Sequence, residues 1–406
     1  MIVYEDFDVR VQSNGDRFVV RAQLGSQFAT EPLAVDRVLS KEVRHLEGAD
    51  PELIRRRGAD LFDALISGRV RDLYEQGRGR VGDDSGAGLR IRLLFNPGDE
   101  RVRPLIALPW EIIRDRSDDA HDLPALDSRR PIVRTIESVA QRLTPAGGAL
   151  QRVLLALADP VASRELHSQR ERAAVEQALA RISIQPVVVQ HATRATLFEA
   201  IADEQFQIVH FMGHSRLDSK AGEVVLSLED GEGGEERLSG SAFAGFFVGR
   251  PAPRLLILTS CLSAMEGDEP FAGIAFALVA AGLPAVIAMQ SRVRDDSSVR
   301  FTERLYRRLS DGAPIEAAVA DARRALSIGW PDTPEWASPV LFTRDEPAPA
   351  PAPPSIPIKA EKAPEPIHTP SAYAPVITMN VAPVQGGSGT TIAGYIQNFN
   401  QGKGDA

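Results

Sequence analysis

The chain has 406 residues, 43% of them hydrophobic, and this size and composition predict a soluble globular protein of two or three domains. Its net charge of −9 argues against a nucleic-acid-binding protein, because such proteins usually carry a basic domain. A single cysteine excludes an internal disulfide, and the acidic start of the chain does not look like a secretion signal, so we expect a reducing, cytoplasmic location.

Residues 1–148 predict a small α/β region. Alternating apolar and polar residues on either side of the turn-forming segment 13–16 indicate a β-hairpin. A helix is predicted over Pro51–Glu75, and Pro109 suits the start of a second helix. Two further strands are predicted at 89–95 and 132–134.

Residues 149–344 show a regular alternation of strands and helices. The predicted strands are 152–158, 184–189, 206–212 and 254–260, and the predicted helices are 165–180, 193–202, 297–309 and 315–327. Such alternation predicts an α/β fold with a predominantly parallel sheet flanked by helices. Ligands bind such sheets at the carboxyl ends of the strands.

One charge-free segment, 271–291, has about the length of a membrane span. Gly282 and Pro284 interrupt it midway. We therefore predict a helix, a tight turn and a buried strand here, and no membrane span.

Two of the predicted strand ends carry reactive side chains. His214 follows Gly213 after one strand, and Cys261 ends another strand 47 residues later. A thiolate is the nucleophilic form of cysteine, and an imidazole can withdraw its proton and then protonate the leaving amine. We predict a catalytic dyad of His214 and Cys261 that needs no metal and no cofactor, with the backbone amides of Gly213 and Cys261 as oxyanion donors.

Structural explanations compete with this prediction. A lone cysteine is often a small buried hydrophobe, and a single histidine in a loop is often only hydrogen-bonded there. The two residues together, at neighbouring strand ends, favour catalysis. His210 lies within the apolar strand, so we expect it to hydrogen-bond inside the core and to support the site at most.

The motifs Ile208–His214 and Leu256–Cys261 resemble the His and Cys motifs of the CHAT family, cysteine peptidases related to caspases and separase. The resemblance covers about Leu89 to Phe342, and segments 108–113 and 132–134 are similar to an upstream, degenerate caspase-like half. It implies a bacterial-type caspase-like fold, with 1–148 as the degenerate half and 149–344 as the peptidase domain. It also implies His214 and Cys261 as the dyad.

The loop after the charge-free segment contains Asp295 and Asp296. In separase-like relatives an acidic residue in the corresponding loop lines the pocket for a basic P1 side chain. The resemblance therefore implies Asp295, or alternatively Asp296, as a substrate-binding residue that selects Lys or Arg by charge-assisted hydrogen bonds. A solvated charged loop is the competing explanation.

The last 62 residues differ in composition from the rest. Residues 345–375 contain ten prolines, which predicts an extended linker without a core. Residues 376–406 are uncharged before Lys403 and rich in Gly, Asn and Gln, and uncharged β-prone segments can stack between chains. This segment resembles homotypic adaptor segments of bacterial defence effectors, which implies self-assembly; a disordered tail is the alternative.

Together these observations predict a cysteine endopeptidase that acts on a protein or peptide substrate. The expected role is a regulated effector of bacterial stress, antiviral defence or cell death. The competing hypothesis is a non-catalytic scaffold, a pseudo-peptidase that recruits partners through residues 376–406.

Overall fold

The structure is a computed structural model. It describes residues 2–34, 38, 49–81, 86–96, 98–117, 122–137, 143–148, 150–160, 165–218, 220, 223–261, 272–291 and 293–345. The predicted linker beyond residue 345 and the predicted assembly segment 376–406 lie outside these residues.

Within the described ranges, strands and helices alternate through most of the chain. The strands are β1 (Val3–Asn14), β2 (Arg17–Leu24), β3 (Gln27–Pro32), β4 (Ala87–Phe95), β5 (Ile132–Ile136), β6 (Val153–Leu157), β7 (Val187–Val189), β8 (Ile208–Asp218), β9 (Glu223–Glu229), β10 (Glu235–Ser239), β11 (Leu255–Cys261), β12 (Ala285–Met289) and β13 (Pro339–Arg344). The helices are α1 (Pro51–Leu65), α2 (Gly68–Arg80), α3 (Arg103–Ile106), α4 (Glu165–Ala180), α5 (Arg194–Asp203), α6 (Gly240–Gly245), α7 (Ala272–Ala280), α8 (Asp295–Ser310) and α9 (Ile315–Gly329).

The described strands form one mixed sheet, and the strands in the centre of this sheet are mostly parallel. Its main path runs β10-β9-β8-β11-β12-β13-β5-β4-β1-β2-β3, and β6 joins it by pairing with β8. Strands β6, β8, β11 and β12 lie side by side in this order and are parallel to one another. Strand β13, on the other side of β12, is antiparallel to it. All residues of β6 and β12 are buried, as expected of interior strands covered by helices. The predicted fold class is confirmed.

The N-terminal strands belong to this same sheet. β1 is parallel to β4, β4 to β5, and β5 to β13, so hydrogen bonds run without a break from the first strand to the last. Phe7, Val9 and Val11 alternate with more exposed residues on β1 and enter the core. The domain boundary at 148/149 stays a prediction.

The predicted helix over Pro51–Glu75 is two helices in the structure. The first turns away at Ile66, and the second begins after Ser67 with Gly68 at a φ of +48°. A left-handed conformation at Gly68 is favourable only for glycine. Leu65 and Val70, on either side of this break, are both buried, so the periodicity of apolar residues continues through it.

The charge-free segment folds as predicted, into helix α7, a turn and strand β12. Gly282 in the turn has a φ of +117°, which explains the glycine there. Among the residues that the structure describes, we find no helix with the length and apolarity needed to cross a bilayer.

Candidate active site

Strand β8 is where two parts of the sheet meet. Residues Ile208–Met212 pair with β6 on one side, and from His214 onward β8 pairs with β9 on that same side. The sequence predicts that the strand stops at residue 212, but it continues to Asp218 because β9 replaces β6 as its neighbour. His214 therefore lies just beyond the carboxyl end of β6, and α/β sheets bind ligands at the carboxyl ends of their strands.

Cys261 is the last residue of β11, on the other side of β8. The parallel register pairs the Cα atoms of Cys261 and His214, one step beyond the pair formed by Ser260 and Gly213. Adjacent strands lie about 4.8 Å apart, and directly paired positions share a face of the sheet. The backbone thus brings the two predicted dyad positions side by side, although 47 residues separate them in the sequence.

The His214 side chain is accessible but not fully exposed. It is 19% exposed, and its Nε2 atom lies 3.4 Å from Oδ1 of Asp159. Asp159 follows strand β6 by two residues, at the carboxyl end of that strand. Asp159 is not among the predicted site residues, although an aspartate directly after a predicted buried strand is a signal of the same kind as His214 and Cys261.

Gly213 occupies a position with no room for a side chain. A Cβ atom there would lie 2.7 Å from the carbonyl oxygen of Ala158 and 2.9 Å from the Phe211 ring. The glycine allows the chain leaving β6 to pass close over β8. This packing is a structural reason for the glycine, and the oxyanion role of its amide stays a prediction.

His210 lies inside the protein, as expected. Its ring is fully buried, with Nδ1 3.3 Å from Tyr306 Oη and Nε2 2.9 Å from Thr259 Oγ1. Burial lowers the pKa of His210 to about 3, because the low-dielectric surroundings disfavour the charged ring. A ring that stays neutral and out of reach of solvent is a core group.

Asp295 and Asp296 form the first turn of α8, beyond the carboxyl end of β12. Asp296 is exposed. Carboxylates at this end of a helix are stabilised by the helix dipole, so the helix start is one reason for two aspartates here. The structure places both aspartates in the helix that follows β12, the strand next to β11 in the sheet.

A buried ion pair fixes the start of the segment that connects β12 to α8. Gln290, the first residue after β12, donates to Glu111 Oε2 at 2.9 Å and to the carbonyl oxygen of Ala337 at 2.8 Å. Glu111 in turn is paired with Arg134, and both side chains are fully buried. Residues from the predicted N-terminal half therefore hold the strand end that leads to Asp295.

In the described part of the chain, no group of three or more His, Cys, Asp or Glu side chains has the arrangement of a metal site. The groups that the described residues bring together at this strand end are an imidazole, a neighbouring carboxylate and the cysteine position paired with His214.

Comparisons with known proteins match most of this chain. The family model described as the CHAT domain matches residues 55–344. A chain of the Saccharomyces cerevisiae separase–securin complex is similar in two crystal structures, each with 13% identity and a TM-score of 0.37. The two alignments cover 68% and 79% of the present chain, but only 16% and 21% of the yeast chain. The present protein therefore spans about a fifth of the length of the yeast chain. No curated protein gives a significant match.

Proposed function

The chain belongs to the CHAT domain family, and we propose that it is a caspase-like cysteine endopeptidase with Cys261 as nucleophile and His214 as proton carrier. One observation carries this proposal: Cys261 and His214 are Cα partners in adjacent parallel strands. A nucleophile and its base must come within hydrogen-bond reach of each other, and direct pairing across two strands permits that distance.

The proposed reaction has two stages. The Cys261 thiolate attacks the carbonyl carbon of a peptide bond, and the backbone amides of Gly213 and Cys261 stabilise the resulting oxyanion. His214, carrying the proton of the thiol, donates it to the leaving nitrogen, so the C–N bond breaks and a thioester remains. Water, deprotonated by His214, then hydrolyses the thioester and regenerates the thiol.

We propose that the substrate is a protein or peptide cleaved after a basic residue, and that Asp295 selects it. Asp295 follows the carboxyl end of β12, the strand next to β11. A carboxylate there suits Lys or Arg at P1 through charge-assisted hydrogen bonds. Asp296 is the alternative.

A random peptide library tests activity and selectivity together. We expect the wild-type protein to cleave after Lys and Arg, and Asp295→Asn to lose at least tenfold of that preference, about 1.4 kcal/mol, while still cleaving at other residues. Asp296→Asn is the matched control and retains the preference. If the two variants behave in the opposite way, Asp296 is the specificity residue. Cleavage without any basic preference in the wild type contradicts the proposed pocket.

The proposal extends to regulation. Residues 376–406 would gather several copies of the chain, which raises the local concentration of the peptidase and activates it by proximity. A role as an effector of bacterial stress, antiviral defence or cell death fits a peptidase that is switched on by assembly. A single cysteine suits the reducing cytoplasm. A protein that cleaves no library peptide and whose Cys261 reacts as an ordinary thiol would instead be a scaffold.

A further inference from the structure

Asp159 lies at the corner where the chain leaves strand β6. Its backbone N–H donates to Oε1 of Glu229 at 3.0 Å, and the preceding residue, Ala158, still donates to the carbonyl oxygen of Met212 on β8 at 3.0 Å. The backbone of Asp159 is therefore fixed from two sides, by β8 and by the end of β9. A side chain on so well-fixed a backbone has a defined direction.

The carboxylate oxygens of Asp159 are shielded from solvent, although the side chain as a whole is 16% exposed. Neither oxygen accepts a hydrogen bond from any residue that the structure describes, and His214 Nε2 lies 3.4 Å from Oδ1. An ionised carboxylate without partners in such a place is costly. A positive charge on the neighbouring imidazole removes much of that cost, because opposite charges attract strongly at short range in a low dielectric.

We propose that Asp159 is a positioning residue for the catalytic pair: its carboxylate binds the Nε2–H of protonated His214, orients the ring, and thereby stabilises the imidazolium–thiolate form of the His214–Cys261 dyad. This inference rests on the proposed function. With Nε2 assigned to Asp159, Nδ1 is the nitrogen that exchanges a proton with Cys261. A third group that orients the base is a recurring feature of activated nucleophiles.

A different use of Asp159, as a binding group for a basic P1 side chain, fits the structure less well. Its oxygens are out of solvent, so a substrate cation would have to displace the packing around them. The ring of His214 already lies 3.4 Å from this carboxylate.

Other titratable groups surround this corner. Glu229 accepts from the backbone of Asp159 and lies 3.0 Å from Nδ1 of the exposed His191. Glu235 on β10 accepts from Ser227, the antiparallel partner of His214. Glu229 and Glu235 therefore have hydrogen-bond partners of their own, whereas the carboxylate of Asp159 lies beside the His214 ring.

The experiment follows alkylation of Cys261 by iodoacetamide as a function of pH in the full-length protein. Cys261 is the only cysteine, so the labelling rate reports its thiolate alone, and this small neutral reagent needs no P1 pocket. The proteins compared are the wild type, Asp159→Asn, Asp159→Glu and His214→Ala. The control is Asp218→Asn, on the same strand as His214. The side chain of Asp218 is 18% exposed and is paired with Arg237.

We expect the wild type to label well below the pH range of an ordinary thiol, whose pKa is about 8.5. Asp159→Asn should move the midpoint upward by about one pH unit, which slows labelling about tenfold at pH values below both midpoints. Asp159→Glu should restore part of the rate, and Asp218→Asn should match the wild type. Loss of folding is distinguishable, because an unfolded chain labels with the midpoint of a model thiol, about 8.5, and Asp159→Glu would then restore nothing.

Two results overturn the inference, and they differ. If His214→Ala shifts the labelling curve but Asp159→Asn superimposes on the wild type, the dyad stands and Asp159 has no part in it. If the wild type and His214→Ala label identically, like a model thiol, the proposed function fails and the role of Asp159 fails with it.

Discussion

Two histidines four residues apart on β8 have opposite surroundings. His214 is partly exposed beside Asp159, whereas His210 is enclosed between Tyr306 and Thr259. Burial raises the pKa of Tyr306 and lowers that of His210, so both groups remain neutral over the ordinary pH range. One strand therefore carries one histidine that reaches the surface and another that packs in the core.

The buried His210 should make the protein sensitive to acid. Its pKa falls from 6.5 to about 3 on folding, so below pH 6.5 the unfolded chain binds a proton that the native state does not. Stability then decreases as pH falls from 6.5 towards 3, by about 1.4 kcal/mol per pH unit. When the pH falls from 7 to 5, the free energy of unfolding should decrease in both proteins, and the decrease should be about 2 kcal/mol smaller for His210→Gln than for the wild type.

Chemical denaturation at several pH values measures this difference. His191→Gln is the control, because the His191 ring is 77% exposed and its replacement should leave the pH dependence close to that of the wild type. Parallel stability curves for His210→Gln and the wild type would show that His210 takes up a proton in the native state after all.

At the scale of elements, the buried pair of Glu111 and Arg134 joins distant parts of the sheet. Arg134 on β5 also donates to the carbonyl oxygen of Ile106 at 2.6 Å and to Gln290 at 3.0 Å, and Arg323 on α9 lies 3.7 Å from Glu111. Burial lowers the pKa of Arg323 to about 10, which leaves it charged at neutral pH. One carboxylate thus compensates two buried guanidinium groups.

Glu111→Gln should therefore be strongly destabilising, by about 3–5 kcal/mol, because it leaves buried charge uncompensated. The matched control is Glu204→Gln. Its partnership with Arg152 is exposed and should contribute less than about 1 kcal/mol. Denaturant unfolding of both variants gives the comparison, and similar losses for the two would mean that the buried network is not the stabilising feature described.

The elements that the sequence predicts well are those with strong local signals. The helix predicted to start at Thr193 does so, with the Thr193 hydroxyl accepting from the N–H of Thr196. The α/β alternation and the buried strands β6 and β12 follow from continuous apolar runs. The prediction of His214 and Cys261 as a dyad rests on the same kind of signal, since both follow such runs, and it stays a prediction.

What the sequence did not predict depends on contacts made at long range. The hairpin of β9 and β10 and the extension of β8 exist because β9 pairs with β8 beyond His214, and charged residues in these strands weaken their apolar pattern. Asp159 becomes notable only when β6 and β8 are adjacent, since its relation to His214 is spatial. The break before Gly68 is hidden because apolar periodicity continues through it.

In the molecule as a whole, one sheet joins the two predicted halves. The composition of residues 376–406 predicts that this segment cannot form a hydrophobic core of its own. Deleting 376–406 should leave thermal unfolding of the remainder nearly unchanged and reduce the size of any assembly in light scattering. Peptide cleavage at low protein concentration should fall, because proximity no longer raises the local concentration. A tail of equal length made of Gly and Ser is the control, and it should behave like the deletion.

Unchanged assembly size together with unchanged activity in the deletion variant would reject the assembly role of the tail. Activity that falls equally at all protein concentrations would point to a direct effect on the active site.

Peptide hydrolysis by the wild type and by Cys261→Ala tests whether this protein is a cysteine peptidase. We expect the wild type to cleave library peptides and the variant to have no measurable activity, while the thermal unfolding temperatures of the two agree within a few degrees. Equal hydrolysis by the wild type and Cys261→Ala would contradict the proposed role of Cys261 as nucleophile.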